Sequence, residues 1–205
     1  MLGEFVSISR ILGLNESKSV QLYESITKAY SEPHRHYHTI KHIYKMFESI
    51  KFYVGNSTKY SLLFLSCLYH DVVYDTHSGT NEEDSFKKLE IDFSNYLLAD
   101  EILECKNLIL ATKKHELIEN YYEFQIFLDS DLLILGSDTD VYNNYSIAIR
   151  KEYHWVEEKI YKKERAKVLE NFLNRDTIYY SDIFKHKHES KARENLLAEI
   201  KVLKG

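Results

Sequence analysis

Several histidines and aspartates of this chain recur at spacings that could hold a divalent cation. His38 and His42 are four residues apart, so on a helix their rings share one side, one turn from each other. His70 and Asp71 follow directly on the apolar run 61–69. An ionised aspartate at the C-terminal end of a helix meets the negative end of the macrodipole, at a cost of about 0.3–1 kcal/mol, so a positive group should sit there. A divalent cation would offset that repulsion and the desolvation of the carboxylate, and imidazole beside carboxylate suits zinc, manganese or iron. Asp131 continues the stripe Phe124, Phe127, Leu128, Leu135, where a carboxylate faces the core. Asp129 lies roughly 200° around the same helix and is the fallback, because both cannot point at one ion.

Each residue also has a plainer reading. The segment HRHYHTIKH is rich enough in histidine for His38 and His42 to be a solvent-facing pair, although His42 borders the stripe Ile40, Ile43, Phe47. His70 and Asp71 could simply open a surface loop. His115, three residues after Thr112, is either an exposed imidazole favoured by a helix end or a ligand for a second ion. Glu82 either belongs to the site or reflects local acidity that a capping box of Thr80 with Glu83 already explains. Arg35 and Lys41 are candidate phosphate contacts or solvated surface charges. Arg150 and Arg193 read best as partners of nearby glutamates, and His154, His186 and His188 as surface residues.

The elements that must position these side chains are helical. Of 205 residues only six are glycine and one is proline, which removes the punctuation that strands and hairpins need. Val20, Leu22, Tyr23, Ile26 and Tyr30 mark one helix, and Ile40 to Ile50 a second beginning beyond Pro33. A turn at 55–58 precedes the run 61–69, apolar on almost every side and therefore enclosed by other helices. A loop at 75–80 leads to a helix towards Tyr96, and another spans 99–114. The segment 124–135 is closed by Gly136, read as a left-handed cap, with Ser137 or Asp138 capping the next helix. A long helical pattern then runs to Arg175 with a break at 161–164, and 187–203 forms the last helix. No repeat or linker interrupts the chain, so residues 1–205 read as one all-α helical domain.

Composition bounds the partners. A hydrophobic content of 44% supplies one sizeable core, and a net charge of −5 with the charges interspersed argues against general nucleic-acid binding. Cys67 and Cys105 lack zinc-cluster or disulfide spacing and read as reduced, packed thiols. No apolar run is long enough to span a bilayer and the first residues lack signal-peptide character, so a cytoplasmic protein with a small-molecule partner is expected.

His42, then His70 with Asp71, then Asp131, in that order on separate helices, resembles the H…HD…D signature of the HD superfamily. Tyr37-His38-x-x-x-His42 resembles a segment of cyclic-nucleotide phosphodiesterases in which the first histidine donates a proton and the second binds metal. The blocks RHYHTIKHI, LYHDVVYD with NEEDS after it, ATKKH, FLDSDLLILG, IRKEY and ESKARENLLAEI are similar to a subgroup of bacterial-type HD proteins described as metal-dependent phosphohydrolases. The similarity runs from about Tyr30 to Leu203.

The resemblance implies a helical bundle of the HD type around one or two divalent ions, manganese, iron, zinc, magnesium, nickel or cobalt. His42, His70, Asp71 and Asp131 would be the ligands, with Asp71 able to bridge two ions; His38 would be the general acid, and Glu82 would lie near the site. The implied reaction is hydrolysis of a phosphate ester, of a nucleotide or another small phosphorylated metabolite, by metal-activated water. A homodimer is compatible with this. Two alternatives stand beside it: a di-iron oxygenase on the same fold, which needs more histidine ligands and has His115 as its best candidate, and a nucleotide-binding regulatory module without turnover, against which the complete ligand set speaks.

Overall fold

The computed structural model describes residues 1–205 as ten α-helices and one short 3-10 stretch, with no strand. It divides into two compact units, Met1–Ser130 and Asp131–Gly205, and no change of composition marks the boundary. No helix is long and apolar enough to cross a membrane.

The first unit is built on α4 (Tyr60–Tyr69), whose residues Leu62 to Tyr69 are all buried. At about 1.5–3 kcal/mol for each fully buried large side chain, this one helix supplies a large share of the unit's hydrophobic stabilisation. It packs against α3 (Ile40–Val54), α5 (Asn81–Phe93) and α6 (Ala99–Thr112). On α3 the buried side chains are His42, Ile43, Met46, Phe47, Ser49, Ile50 and Val54, one continuous face, and this puts His42 inside. α1 (Leu2–Ile11) and α2 (Glu16–Ala29) pair with each other. α1 was not expected from the sequence; it is anchored by Phe5 and Ile8 alone among its large apolar residues, too few for a clear period. α7 (Tyr122–Asp131) buries Phe124, Ile126, Phe127 and Leu128 and ends on Asp131, all of its earlier residues belonging to the first unit.

Two caps differ from expectation. Thr80 does stand before α5, but its side chain donates to Asp84 rather than capping the helix, and Glu83 turns to Lys113 at 2.6 Å, so no capping box forms. The loop before α5 is held instead by Asn81, which accepts from the Asp75 N–H and donates to the Asp75 carbonyl, and by the Ser85 hydroxyl on the backbone of Val73. Gly136 does not adopt the left-handed conformation expected of it. A Cβ there would lie 2.7 Å from the His188 Cβ and 2.9 Å from the Tyr179 hydroxyl, so close approach of another helix requires the glycine.

In the second unit the 3-10 stretch 132–136 precedes α8 (Thr139–Glu152), α9 (Glu158–Leu173) and α10 (Asp182–Lys204). The break in the long helical pattern falls at 153–157, earlier than the expected 161–164. Arg150 holds it by donating to the carbonyls of Tyr153 and Val156, and Glu157 caps α9 through the N–H groups of Lys159 and Ile160. Arg150 therefore serves backbone rather than glutamate, whereas Arg193 does pair with Glu189, at 2.7 Å. His188 is half-buried against Phe184 and Tyr179 rather than on the surface.

A buried ion pair joins all three long helices of this unit. Arg165 of α9 donates to Glu199 of α10 at 2.9 Å, and the Tyr142 hydroxyl of α8 reaches the same carboxylate at 2.5 Å. Burial pushes the Glu199 carboxyl up, but Arg165 and the hydroxyls of Tyr142 and Ser146 outweigh it and hold the carboxyl below its ordinary value. A lowered folded-state value means that the stabilisation is present above the ordinary value of 4.5 and is lost as pH falls through the lower, folded-state one. Glu199→Gln is therefore expected to cost about 3–5 kcal/mol at pH 7 by leaving Arg165 unneutralised, with the gap to the parent protein narrowing only below about pH 4.5. Urea unfolding of both proteins from pH 7 to pH 3.5 checks this; a gap that stays constant over the whole range contradicts it.

Candidate metal centre

Three donors converge from separate elements. His42 comes from the first turn of α3, His70 caps the C-terminal end of α4, and Asp131 ends α7. One ligand atom from each lies within 4.8 Å of the others, close enough for a single metal ion. Both histidines are buried, at 6% and 1% exposure, and their ring centroids are 5.5 Å apart at a steep angle.

The protonation pattern of His70 follows from its surroundings. Nδ1 is 2.9 Å from the Cys67 carbonyl, which can only accept, so Nδ1 carries the hydrogen. In the neutral ring Nε2 is then a lone pair, and it lies 3.1 Å from Oδ2 of Asp71. Two electron-rich atoms at that distance repel unless a positive charge lies between or beside them, either a second proton on the ring or a cation bound by both. A ring nitrogen oriented by a backbone carbonyl is also the usual arrangement of metal-binding histidine.

The other expected site residues divide. Asp71 stands next to His70, only partly exposed, but is not one of the three gathered donors. His38 is not on the helix that carries His42: Thr39 is extended and α3 begins at Ile40, so helical spacing is not what relates the two rings. The turn before α3 still leaves them 6.0 Å apart, with Tyr74 tilted against His38 at 4.3 Å and Tyr37 edge-on to it at 5.0 Å. Asp129 is fully buried and not in the group, consistent with its facing away from Asp131. Glu82 is 3.8 Å from the Lys113 ammonium, which also holds Glu83 and the Gly79 carbonyl. Lys41 is exposed.

Arg35 is neither a phosphate contact nor a solvated charge. Its side chain is fully buried, pairs with Glu32 at 3.0 Å, and donates to the backbone carbonyls of His38, Asp71 and Val72 at 3.3, 2.7 and 3.0 Å. Tyr30 and Tyr74 cover its guanidinium. Sequence reasoning did not find the roles of Tyr30, Tyr74 and His34; the last stacks on Tyr74 and hydrogen-bonds its carbonyl at 2.8 Å. In the sequence Tyr30 reads as one more residue of a helical stripe, and His34 and Tyr74 as neighbours of motif residues, so none signals these contacts.

His115 is likewise outside the gathered group, and it has φ +49°, the one left-handed residue that is not glycine. The N–H of Glu116 reaches back to the Ala111 carbonyl, so His115 stands where the end of a helix favours glycine. His115→Gly is expected to leave metal uptake unchanged and to be as stable as the parent or up to about 1 kcal/mol more stable, strain relief opposing the greater freedom of the unfolded chain. Thermal unfolding and a metal titration of the variant check this, and lost uptake would put His115 back at the site.

Compared with models of known protein families, with curated proteins and with solved structures, the chain matches none.

Proposed function

We propose that this chain is a divalent-metal-dependent phosphohydrolase acting on a small phosphorylated metabolite, as the H…HD…D resemblance suggests. The observation that carries the reading is the convergence of His42, His70 and Asp131 to within 4.8 Å. They come from three helices far apart in the chain, so no local composition explains it. Two imidazoles and a carboxylate suit zinc, manganese or iron, and Asp71, already beside His70 Nε2, is the fourth donor in this reading.

A bound divalent cation would lower the pKa of water and polarise a phosphoryl oxygen. The chain's own residues do the rest. The Cys67 carbonyl fixes the His70 ring so that Nε2 faces Asp71, and the two aspartates offset positive charge at the site. His38, whose ring neighbours His42 without belonging to the three donors, protonates the departing oxygen; imidazole is the side chain that titrates nearest neutrality. Tyr74 packs on that ring and limits its orientations.

A second reading uses the same donors. Two histidines and one carboxylate also form the set of non-haem iron oxygenases, so a single iron with oxygen uptake is the rival outcome.

Protein loaded with Mn²⁺, Co²⁺ or Fe²⁺ and screened against phosphomonoesters and phosphodiesters is expected to turn over at least one class and to lose activity with EDTA. Asp131→Ala should weaken Mn²⁺ binding about 100-fold or more, beyond the roughly 10–100-fold of an outer partner. His38→Ala should keep the metal and lose about 10²–10⁴ in kcat. Mn²⁺ binding that Asp131→Ala leaves intact would falsify the site, and oxygen consumption by the iron form without phosphate release would favour the oxygenase.

A further inference from the structure

We infer that Arg35 is the positioning residue of the metal centre, clamping the segment that carries His38 to the turn that carries His70 and Asp71, and so holding the donor set in shape before any ion binds. The inference rests on the metal-centre reading above and extends it to a residue outside the donor set.

The acceptors of Arg35 carry the argument. Two of its three backbone partners, the carbonyls of His38 and Asp71, belong to residues of the site itself, and the third belongs to the adjacent Val72. In the sequence these two segments are more than thirty residues apart, Asp71 lying 36 positions beyond Arg35. One rigid plane therefore fixes two stretches of irregular backbone that no helix spans. A side chain only filling space would not need so many directed bonds. A lysine could not replace it, since an ammonium is a compact point charge and not a planar fork.

Packing keeps the plane in place. The ring centres of Tyr30 and Tyr74 lie 5.0 Å and 5.3 Å from the guanidinium carbon, and the Tyr74 ring also packs, tilted, against His38. His34 closes the same seam by bonding to the Tyr74 carbonyl. Movement of Arg35 would thus shift the His38 ring through its own carbonyl and through Tyr74, and Asp71 through its carbonyl. The charge of the buried guanidinium is balanced by Glu32, itself half exposed, so Glu32 can be changed without touching the carbonyl contacts.

Co²⁺ titration followed by visible absorption, with thermal melting of the metal-free protein alongside, separates positioning from simple stability. Arg35→Lys and Arg35→Met are expected to bind Co²⁺ about 10–100-fold more weakly than the parent, with an altered visible band, and the lysine variant should not rescue. Glu32→Gln should change the affinity less than about threefold. Arg35→Lys keeps the charge and most of the stem, so it carries the measurement if the methionine variant does not fold. Variants that melt lower yet bind Co²⁺ with parental affinity and spectrum overturn the positioning role and leave the metal centre standing. A parent protein that takes up no Co²⁺ overturns the metal centre and this inference with it.

Discussion

The carbonyl end of α4 has to be satisfied inside the protein, and much of the first unit is arranged to do it. Carbonyls in the last turn of a helix have no partner within it, and left buried and unpaired each would cost about 1–3 kcal/mol. Here the His70 ring takes the Cys67 carbonyl, the Tyr30 hydroxyl takes that of Leu68, and the Val72 N–H takes that of Tyr69. Arg35 then takes the carbonyls of Asp71 and Val72 just beyond. Burial, the Asp71 charge and the opposing Arg35 charge all act on the Tyr30 hydroxyl, and the first two dominate, holding its proton on well above the ordinary range. A donating hydroxyl is what the Leu68 carbonyl requires.

This arrangement changes the force of one argument from sequence. An aspartate at the negative end of a helix called for a positive group, and a metal ion was one answer. Arg35 is another, already in place, so the macrodipole no longer speaks for a metal. Two observations remain that it does not explain: the lone pair of His70 facing an Asp71 oxygen, and the arrival of His42 and Asp131 at the same point. Arg35 holds the backbone carbonyl of Asp71, whereas the His70 ring faces its carboxylate. The two charges have different work, one holding the loop and the other, in the proposed reading, binding the donors.

What could be read in the sequence was what burial writes into it. The apolar run of α4 and the buried stripe of α3 with His42 on it rest on periodicity, and the structure has them. Asp131 does join the two histidines but is only partly buried, whereas Asp129 is the wholly buried carboxylate, because α7 ends at Asp131 and the α-helical stripe towards Leu135 does not continue. Features set by single polar bonds were not legible. Whether a helix starts at His38 or at Ile40 turns on the backbone of Thr39, and the break before α9 turns on Arg150 and Glu157, which look like ordinary surface charges in a string. Arg35 is the clearest case: among histidines and beside an exposed Glu32 it has the pattern of a solvated residue, and only partners 36 and 37 positions away make it a buried one.

The same distinction explains how a helix end can hold one of the three gathered donors in place. Asp131 is the last residue of α7, where fraying would be expected, yet its neighbour Ser130 is buried and its hydroxyl meets that of Ser49 at 2.8 Å. Ser49 lies on the buried face of α3 two turns beyond His42. The bond therefore sets the end of α7, which carries Asp131, against the body of α3, which carries His42. As a neutral hydroxyl pair it contributes only about 1 kcal/mol to stability, and a pair of apolar side chains of the same size would serve the core almost as well. Its value is directional. Apolar packing holds α3 and α7 together but tolerates sliding and rotation, whereas a hydrogen bond between two short side chains does not. A site whose donors must meet to within a few ångströms needs that kind of constraint next to each donor, and each has one: Ser49–Ser130 by Asp131, the Cys67 carbonyl on the His70 ring, and the Thr39 carbonyl on the backbone of His42.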